Sequence, residues 1–188
     1  MYDVSDLRKG LKVEIDGEPY EIVDFEFRKP GKGQALYRCK LKNMFTGATI
    51  DKTYRSADKV EKAELQEIDM IFSYVDNDHY VFLDAETFEQ VFVDAQVLGD
   101  KRLFLQPDTA CKILFYKDTP LEVSIPVFVE ARVAATETGA RGDTATNTTK
   151  PATLENGYDL HVPLFVNEGD IIKIDTRTGE YSERVKKA

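Results

Sequence analysis

Strict alternation of apolar and polar side chains, interrupted at short intervals by turn residues, constrains this chain more than any other feature. In "KVEIDG" the alternation ends in Asp16-Gly17, a hairpin signal. In "YEIVDFEF", Val23, Phe25 and Phe27 fall on one face and Asp24, Glu26 and Arg28 on the other. Further on, Tyr37, Cys39 and Leu41 alternate with Arg38, Lys40 and Lys42. Residues 21 to 42 therefore predict one long β-hairpin, with Lys29 to Gln34 as its tip. "TGATIDKTYRS" adds a strand after a Thr-Gly turn, Asp76-Asn77-Asp78 turns the next pair, and Asp118-Thr119-Pro120 the pair after that. Helical periodicity is nearly absent; single helical turns are expected only in "DAETFEQVFV" and "DAQVLGD". Such a pattern predicts an all-β protein of small barrels or sandwiches.

The chain has 188 residues, and two breaks divide it into thirds. "SADKVEKAEL" is charged and does not alternate, and Pro126 interrupts the run "SIPVFVEA". The expected domains are 1–63, 64–127 and 128–188. No stretch approaches the roughly 18 apolar residues of a membrane helix, and "MYDVSDLRKGLKVEIDG" has no apolar signal core. Two distant cysteines, Cys39 and Cys111, form no metal-like pair and read as reduced thiols. The expected compartment is the cytoplasm, with no membrane partner.

Net charge is −9, yet it is unevenly spread. From Phe27 to Lys59 nine Lys and Arg stand against two acids, Asp51 and Asp58. From Val60 to Ala140 six bases stand against sixteen acids. A bipolar chain of this kind suits a polyanion at one end, with the acidic remainder opposing indiscriminate binding to nucleic acid. A solvated face of strands accounts for the basic stretch equally well, and charge alone does not separate the two.

Catalytic chemistry is sparse. His79 lies by a turn and His161 on an alternating strand. There is no G-x-S-x-G, H-E-x-x-H or paired C-x-x-C, and "PGKGQ" lacks the spacing of a phosphate-binding P-loop. No metal ligands and no cofactor site stand out. Arg141-Gly142-Asp143 spells an adhesion tripeptide and Asn147-Thr148-Thr149 a glycosylation sequon; both read as polar loop in an unsecreted protein.

The hairpin tip carries the chemistry that remains. Pro30 presets φ for a turn, and Gly31 is expected to supply the positive φ of a type II turn. Gly33 adds no side chain, so Lys32 stands at the end of a thin ribbon. Most lone turn lysines are merely solvated. Here the paired glycines and the cations of the stem (Arg28, Lys29, Arg38, Lys40 and Lys42, with Arg55 on the next strand) favour a lysine carried into a narrow cleft, its stem gripping phosphates.

"FRKPGKGQALYRCKLKNMFTGATIDKTYRS" closely resembles the N-terminal domain of the bacterial elongation factor P family. The likeness continues in "KPATLENGYDLHVPLFVNEGDIIKIDTRTGEYSERV", where Lys150, Ala152, Gly157, Val162, Pro163 and Gly169 keep the family's spacing, and in "GDT" (142–144) and "TFEQ" (87–90). The chain departs at Leu36, where many relatives carry an aromatic residue, and in "TATNTTK", where glycines are common. The resemblance implies an SH3-like (KOW-type) barrel followed by two OB-fold barrels in a tRNA-like L shape. It implies a monomeric factor that is not itself an enzyme. Such a factor binds the ribosome, rRNA and ribosomal proteins together, between the peptidyl-tRNA and exit sites and relieves stalling at consecutive prolines. Lys32 takes the position that points toward the peptidyl-transferase centre, with Lys29, Pro30, Gly31, Gly33 and Gln34 as its loop. In many members a dedicated enzyme extends that lysine, by lysylation and hydroxylation or otherwise. The third-domain loop, with Arg141, Gly142, Asp143, Thr144 and Lys150, would face the small subunit. Two other classes remain: a general single-stranded RNA binder using Tyr74, Tyr80 and Phe82 as stacking platforms, and, with no residues in its favour, an enzyme.

Overall fold

A strand needs a register that puts one face of its alternation in a core, and among the described residues sixteen strands form. The computed structural model describes residues 1–138 and 148–188. Contacts divide it into two compact units, Met1–Glu67 with Leu114–Leu121, and Ile68–Ile113 with Glu122–Ala188.

The first unit holds β1 (Tyr2–Asp3), β2 (Lys12–Ile15), β3 (Glu18–Arg28), β4 (Leu36–Asn43), β5 (Thr49–Arg55) and β6 (Lys59–Lys62), in the order β1-β6-β2-β3-β4-β5. Asp16 and Gly17 have φ of 51° and 80°, as the Asp-Gly signal requires of a tight two-residue hairpin. Val4, Leu7, Val13, Ile22, Cys39, Leu41, Tyr54 and Val60 close the core, each aliphatic burial contributing about 1.5–3 kcal/mol. The tip of a later hairpin also belongs to this unit. The Tyr116 hydroxyl lies 2.8 Å from Glu14 Oε2 and 2.9 Å from the Gly17 carbonyl, and shares its one proton between them. That hydrogen bond, with the Lys117 ammonium beside it, holds the Glu14 carboxyl below its usual pKa.

The remaining strands are β7 (Leu65–Asp76), β8 (His79–Asp84), β9 (Gln90–Asp94), β10 (Ala110–Tyr116), β11 (Thr119–Ser124), β12 (Phe128–Thr136), β13 (Thr149–Leu154), β14 (Asp159–Pro163), β15 (Ile171–Asp175) and β16 (Glu180–Lys186). They form two five-stranded sheets, β11-β10-β7-β8-β9 and β14-β13-β12-β15-β16. A four-residue helix α1 (Ala95–Leu98) and a 3-10 segment (Gly99–Phe104) follow β9, where "DAQVLGD" predicts a helical turn. "DAETFEQVFV" forms no helix: residues 85–87 turn, with the Asp84 carboxylate accepting the N–H groups of Glu86 and Thr87, before β9 begins. Phe104 packs edge-on against Tyr158 at 5.0 Å and joins the core of Val133, Leu154, Val162, Ile172 and Ile174. Asn156 Nδ2 donates to the Leu103 carbonyl, and Gln106 Nε2 to that of Glu130. Among the described residues no helix is long and apolar enough to cross a membrane. The all-β expectation holds.

Candidate functional site

The predicted hairpin is present, and its geometry refines the spacing argument. Strand β3 runs to Arg28 and β4 starts at Leu36, so the tip is 29–35. Simple alternation groups Val23 with Phe25, but the register slips between Ile22 and Asp24. A bulge at Val23 therefore returns Ile22 and Phe25 to one face, opposite Leu41 and Cys39. Phe25 and Phe27 continue that face outward, with ring centroids 6.2 and 5.0 Å from Tyr37.

At the tip it is Gly33 that takes the positive φ, 135°; Gly31 does not. The expected type II geometry at Gly31 is thus replaced by a turn completed two residues later. A Cβ on Gly33 would meet only Pro30 Cγ, at 3.6 Å, so its backbone conformation and not crowding calls for glycine. Ser56 Oγ donates to the Ala35 carbonyl at 3.4 Å and braces the base of the loop. Lys29, Pro30, Gly31, Lys32, Gly33 and Gln34 are all exposed. Among the described residues neither Lys29 nor Lys32 has a hydrogen bond or ion pair, so the amine is available for chemistry or for a partner's charge.

The stem cations behave differently. Register aligns Arg28 with Leu36 and Arg55, Glu26 with Arg38 and Thr53, and Asp24 with Lys40 and Asp51. These rows share one face, and acids are interleaved with the bases. Arg28 Nε donates to Glu26 Oε1 at 2.8 Å, and Arg38 lies 3.6 Å from Asp51. Asp24, Glu26, Arg38, Lys40 and Asp51 line one polar depression on this face. Lys42 pairs in register with Glu21 and Thr49. Three of the four carboxylates, Glu21, Asp24 and Glu26, lie upstream of Phe27, where a count of charge that starts at Phe27 misses them. Lys52, which spacing did not single out, projects from the opposite face; its Nζ stands 5.4 Å from the Tyr54 ring. Tyr54 is buried with its hydroxyl unpartnered among the described residues, and burial, aided by Cys39 and Asp58, pushes its pKa up to about 12.

Two further candidates are corrected or lie out of view. Lys150 is not a surface contact. It is 5% exposed on β13, and its Nζ donates to the Glu137 carbonyl at 2.6 Å. The odd polar position of a paired strand faces inward here, and the amine satisfies a backbone acceptor at the end of β12. Arg141, Gly142, Asp143 and Thr144 lie outside the described residues. His79 sits in an exposed pair with Asp94 at 3.4 Å, and His161 is exposed on β14. No group of three or more His, Cys, Asp or Glu converges as a metal site among the described residues.

Comparison with known proteins covers the whole chain. Residues 3–60 match the elongation factor P (EF-P) KOW-like domain, 65–123 the elongation factor P (EF-P) OB domain, and 129–184 the elongation factor P C-terminal domain. Elongation factor P of Desulforapulum autotrophicum is 52% identical over 98% of this chain and 99% of its own. That of Desulfotalea psychrophila is 51% identical over 99% of this chain and 100% of its own. Among solved structures, eukaryotic translation initiation factor 5A from Methanococcus jannaschii superposes with a TM-score of 0.54 at 25% identity, over 65% of this chain and 94% of that one. The first barrel is thus KOW-like and OB domains follow it. The chain belongs to the elongation factor P family of translation elongation factors.

Proposed function

We propose that this chain binds the ribosome between the peptidyl-tRNA and exit sites, beside peptidyl-tRNA, and promotes peptide-bond formation where consecutive prolines slow it. The observation that carries this is Lys32: exposed, without a partner among the described residues, on a thin tip beyond a ribbon eleven residues long on one strand. Proline is a poor nucleophile and a strained donor. Holding the peptidyl-tRNA end in a reactive pose lowers the barrier by several kcal/mol without any acid or base from the factor. The factor acts on the ribosome's catalysis and needs no catalytic set of its own.

In this scheme 1–63 is the tip-bearing domain, 64–127 the middle and 128–188 the C-terminal domain. The factor works as a monomer in the cytoplasm, and the 141–144 segment faces the small subunit. Lys32 is extended covalently by a lysine-modifying enzyme; no dissociable cofactor takes part. The test is translation of a polyproline message in a reconstituted system. Lys32→Ala abolishes the factor's stimulation while its melting temperature stays within a degree or two; normal polyproline synthesis with that variant overturns the role of the tip. Peptide mass spectrometry of protein from its own host then reads the mass added at Lys32.

A further inference from the structure

The two faces of the hairpin stem differ in kind. Every carboxylate of the distal stem, Asp24, Glu26 and Asp51, projects on the face that also bears Arg28, Arg38, Lys40 and Arg55. Three carboxylates against four cations bring that face close to neutral, with internal pairs at Arg28–Glu26 and Arg38–Asp51. A phosphate approaching it must displace acids or sit beside them.

The opposite face carries no carboxylate at its strand positions; the one acid near it is Asp58, in the turn after β5, close enough to Tyr54 to help raise its pKa. Phe27, Tyr37 and Tyr54 stand directly across from one another on three adjacent strands, forming an aromatic row. One row closer to the barrel, Phe25 and Cys39 align with Lys52. Near the barrel this face is core; toward the tip it emerges into solvent. Tyr54 is buried and Tyr37 partly so, while Phe27 is 51% exposed. Phe27 rests against Tyr37, with a centroid distance of 5.0 Å and an interplanar angle of 51°. Its other side is open. Lys52 is exposed and has no ion pair among the described residues. Lys29, two residues beyond Phe27, has none either. An open aromatic face next to unneutralised cations, with no carboxylate at its strand positions, matches an unpaired nucleobase with its phosphate: the ring stacks the base and the ammonium groups meet the anion. A neutral protein segment leaves Lys52 unpaired and a basic one is repelled by it; an acidic segment would pair with Lys52 but lacks the flat ring that a nucleobase offers to the open side of Phe27.

We propose that this aromatic face, and not the charged face, meets nucleic acid: Phe27 stacks an unpaired base of an RNA end while Lys52 and Lys29 hold its phosphates, setting the approach of Lys32. This rests on the ribosomal role proposed above. It reassigns phosphate contact from Arg38 and Lys40 to Lys52, and it makes Phe27 a binding residue for the base.

The full-length protein is titrated onto ribosomes carrying peptidyl-tRNA whose unpaired 3′ end contains 2-aminopurine, and both affinity and fluorescence are read. Phe27→Leu keeps an apolar cover on Tyr37 and removes the stacking face; it loses roughly tenfold or more in affinity, together with the fluorescence change. Phe27→Tyr retains both. Lys52→Gln lowers the slope of log affinity against log salt by about 0.7. Arg38→Gln, on the other face, stays within about twofold. The proposal is overturned if Arg38→Gln weakens binding as much as Phe27→Leu. It is also overturned if Phe27→Leu weakens binding with the fluorescence change intact, which assigns the face to a protein contact. Lys32→Ala, read for polyproline synthesis in parallel, separates the two failures. If it abolishes stimulation while Phe27→Leu binds normally, the stacking role alone fails; if it changes nothing, the role of the tip fails.

Discussion

Lys32 and Lys150 carry the same amine and end in opposite situations. Lys32 stands on a hairpin tip with no partner among the described residues, whereas Lys150 is buried and donates a hydrogen bond to the Glu137 carbonyl. A proline within two residues does not distinguish them, since each has one, in "PGKG" and "TKPA". Position relative to a barrel does. A lysine beyond the last cross-strand pair has no neighbour to bury it. One inside a paired strand, at a position facing the core, must find an acceptor or be excluded. The free amine is available for function, and the buried one contributes to stability.

The largest effect expected from this contrast is on stability. Lys150→Ala leaves the Glu137 carbonyl unpaired and opens a cavity, costing about 2–4 kcal/mol in denaturant unfolding. Lys32→Ala changes stability by less than about 0.5 kcal/mol. Equal costs for the two would erase the distinction. Lys150→Met, which keeps the stem and loses the amine, sharpens it: roughly half of the alanine cost remains if hydrogen bonding and packing share the work.

A second buried group in the same barrel tests what a satisfied charge contributes. Asp170, fully buried, accepts the N–H groups of Asn167 and Ala188 at 2.9 and 2.7 Å and faces Arg184 at 3.4 Å. Burial alone would raise its pKa, but these donors and the guanidinium outweigh it and hold the carboxyl below its usual value. On acidification the unfolded chain takes up this proton first, near pH 3.9. Asp170 thus contributes its full stabilisation above that pH, and the contribution is lost as pH falls through the lower folded value. Acid unfolding followed by circular dichroism should show Asp170→Asn losing less stability between pH 5 and pH 2 than the wild-type protein. An identical acid profile would mean that the carboxylate's charge is unused.

A smaller difference separates the two thiols. Burial pushes Cys39 and Cys111 up to about 11, so both are unreactive at neutral pH until the chain opens. Cys39 is completely covered and Cys111 is 5% exposed. Alkylation followed by mass spectrometry should label Cys111 first; the reverse order would show the first barrel opening more readily than the second. The smallest effect is expected at the stem's paired face, where Arg38→Ala costs about 0–1 kcal/mol, because exposed pairs such as Arg38–Asp51 contribute little.

Much of this molecule is legible in its sequence alone. Period-two alternation and the Asp-Gly, Thr-Gly and Asp-Asn-Asp turns located the strands because side chains alternate strictly along a strand and tight turns demand particular residues. The long hairpin, its glycine-flanked lysine and the short helix after β9 were all readable locally. Family motifs at both ends, Phe27–Ser56 and Lys150–Val185, added the order of the domains.

What escaped the sequence depended on residues far apart in the chain. The bulge at Val23 shows only when β3 is laid against β4. The positive φ at Gly33 follows from how the tip closes and not from the Pro-Gly pair alone. Asp24 and Glu26 come opposite Lys40 and Arg38 only across the ladder, so a linear window that starts at Phe27 counts those cations without the acids beside them. Burial of Lys150 against Glu137 likewise needs β12 and β13 in register. Alternation, turns and the exposed tip were set by local chemistry along the chain. Register, charge pairing and burial were set by tertiary structure, since each depends on a partner that neighbouring residues do not specify.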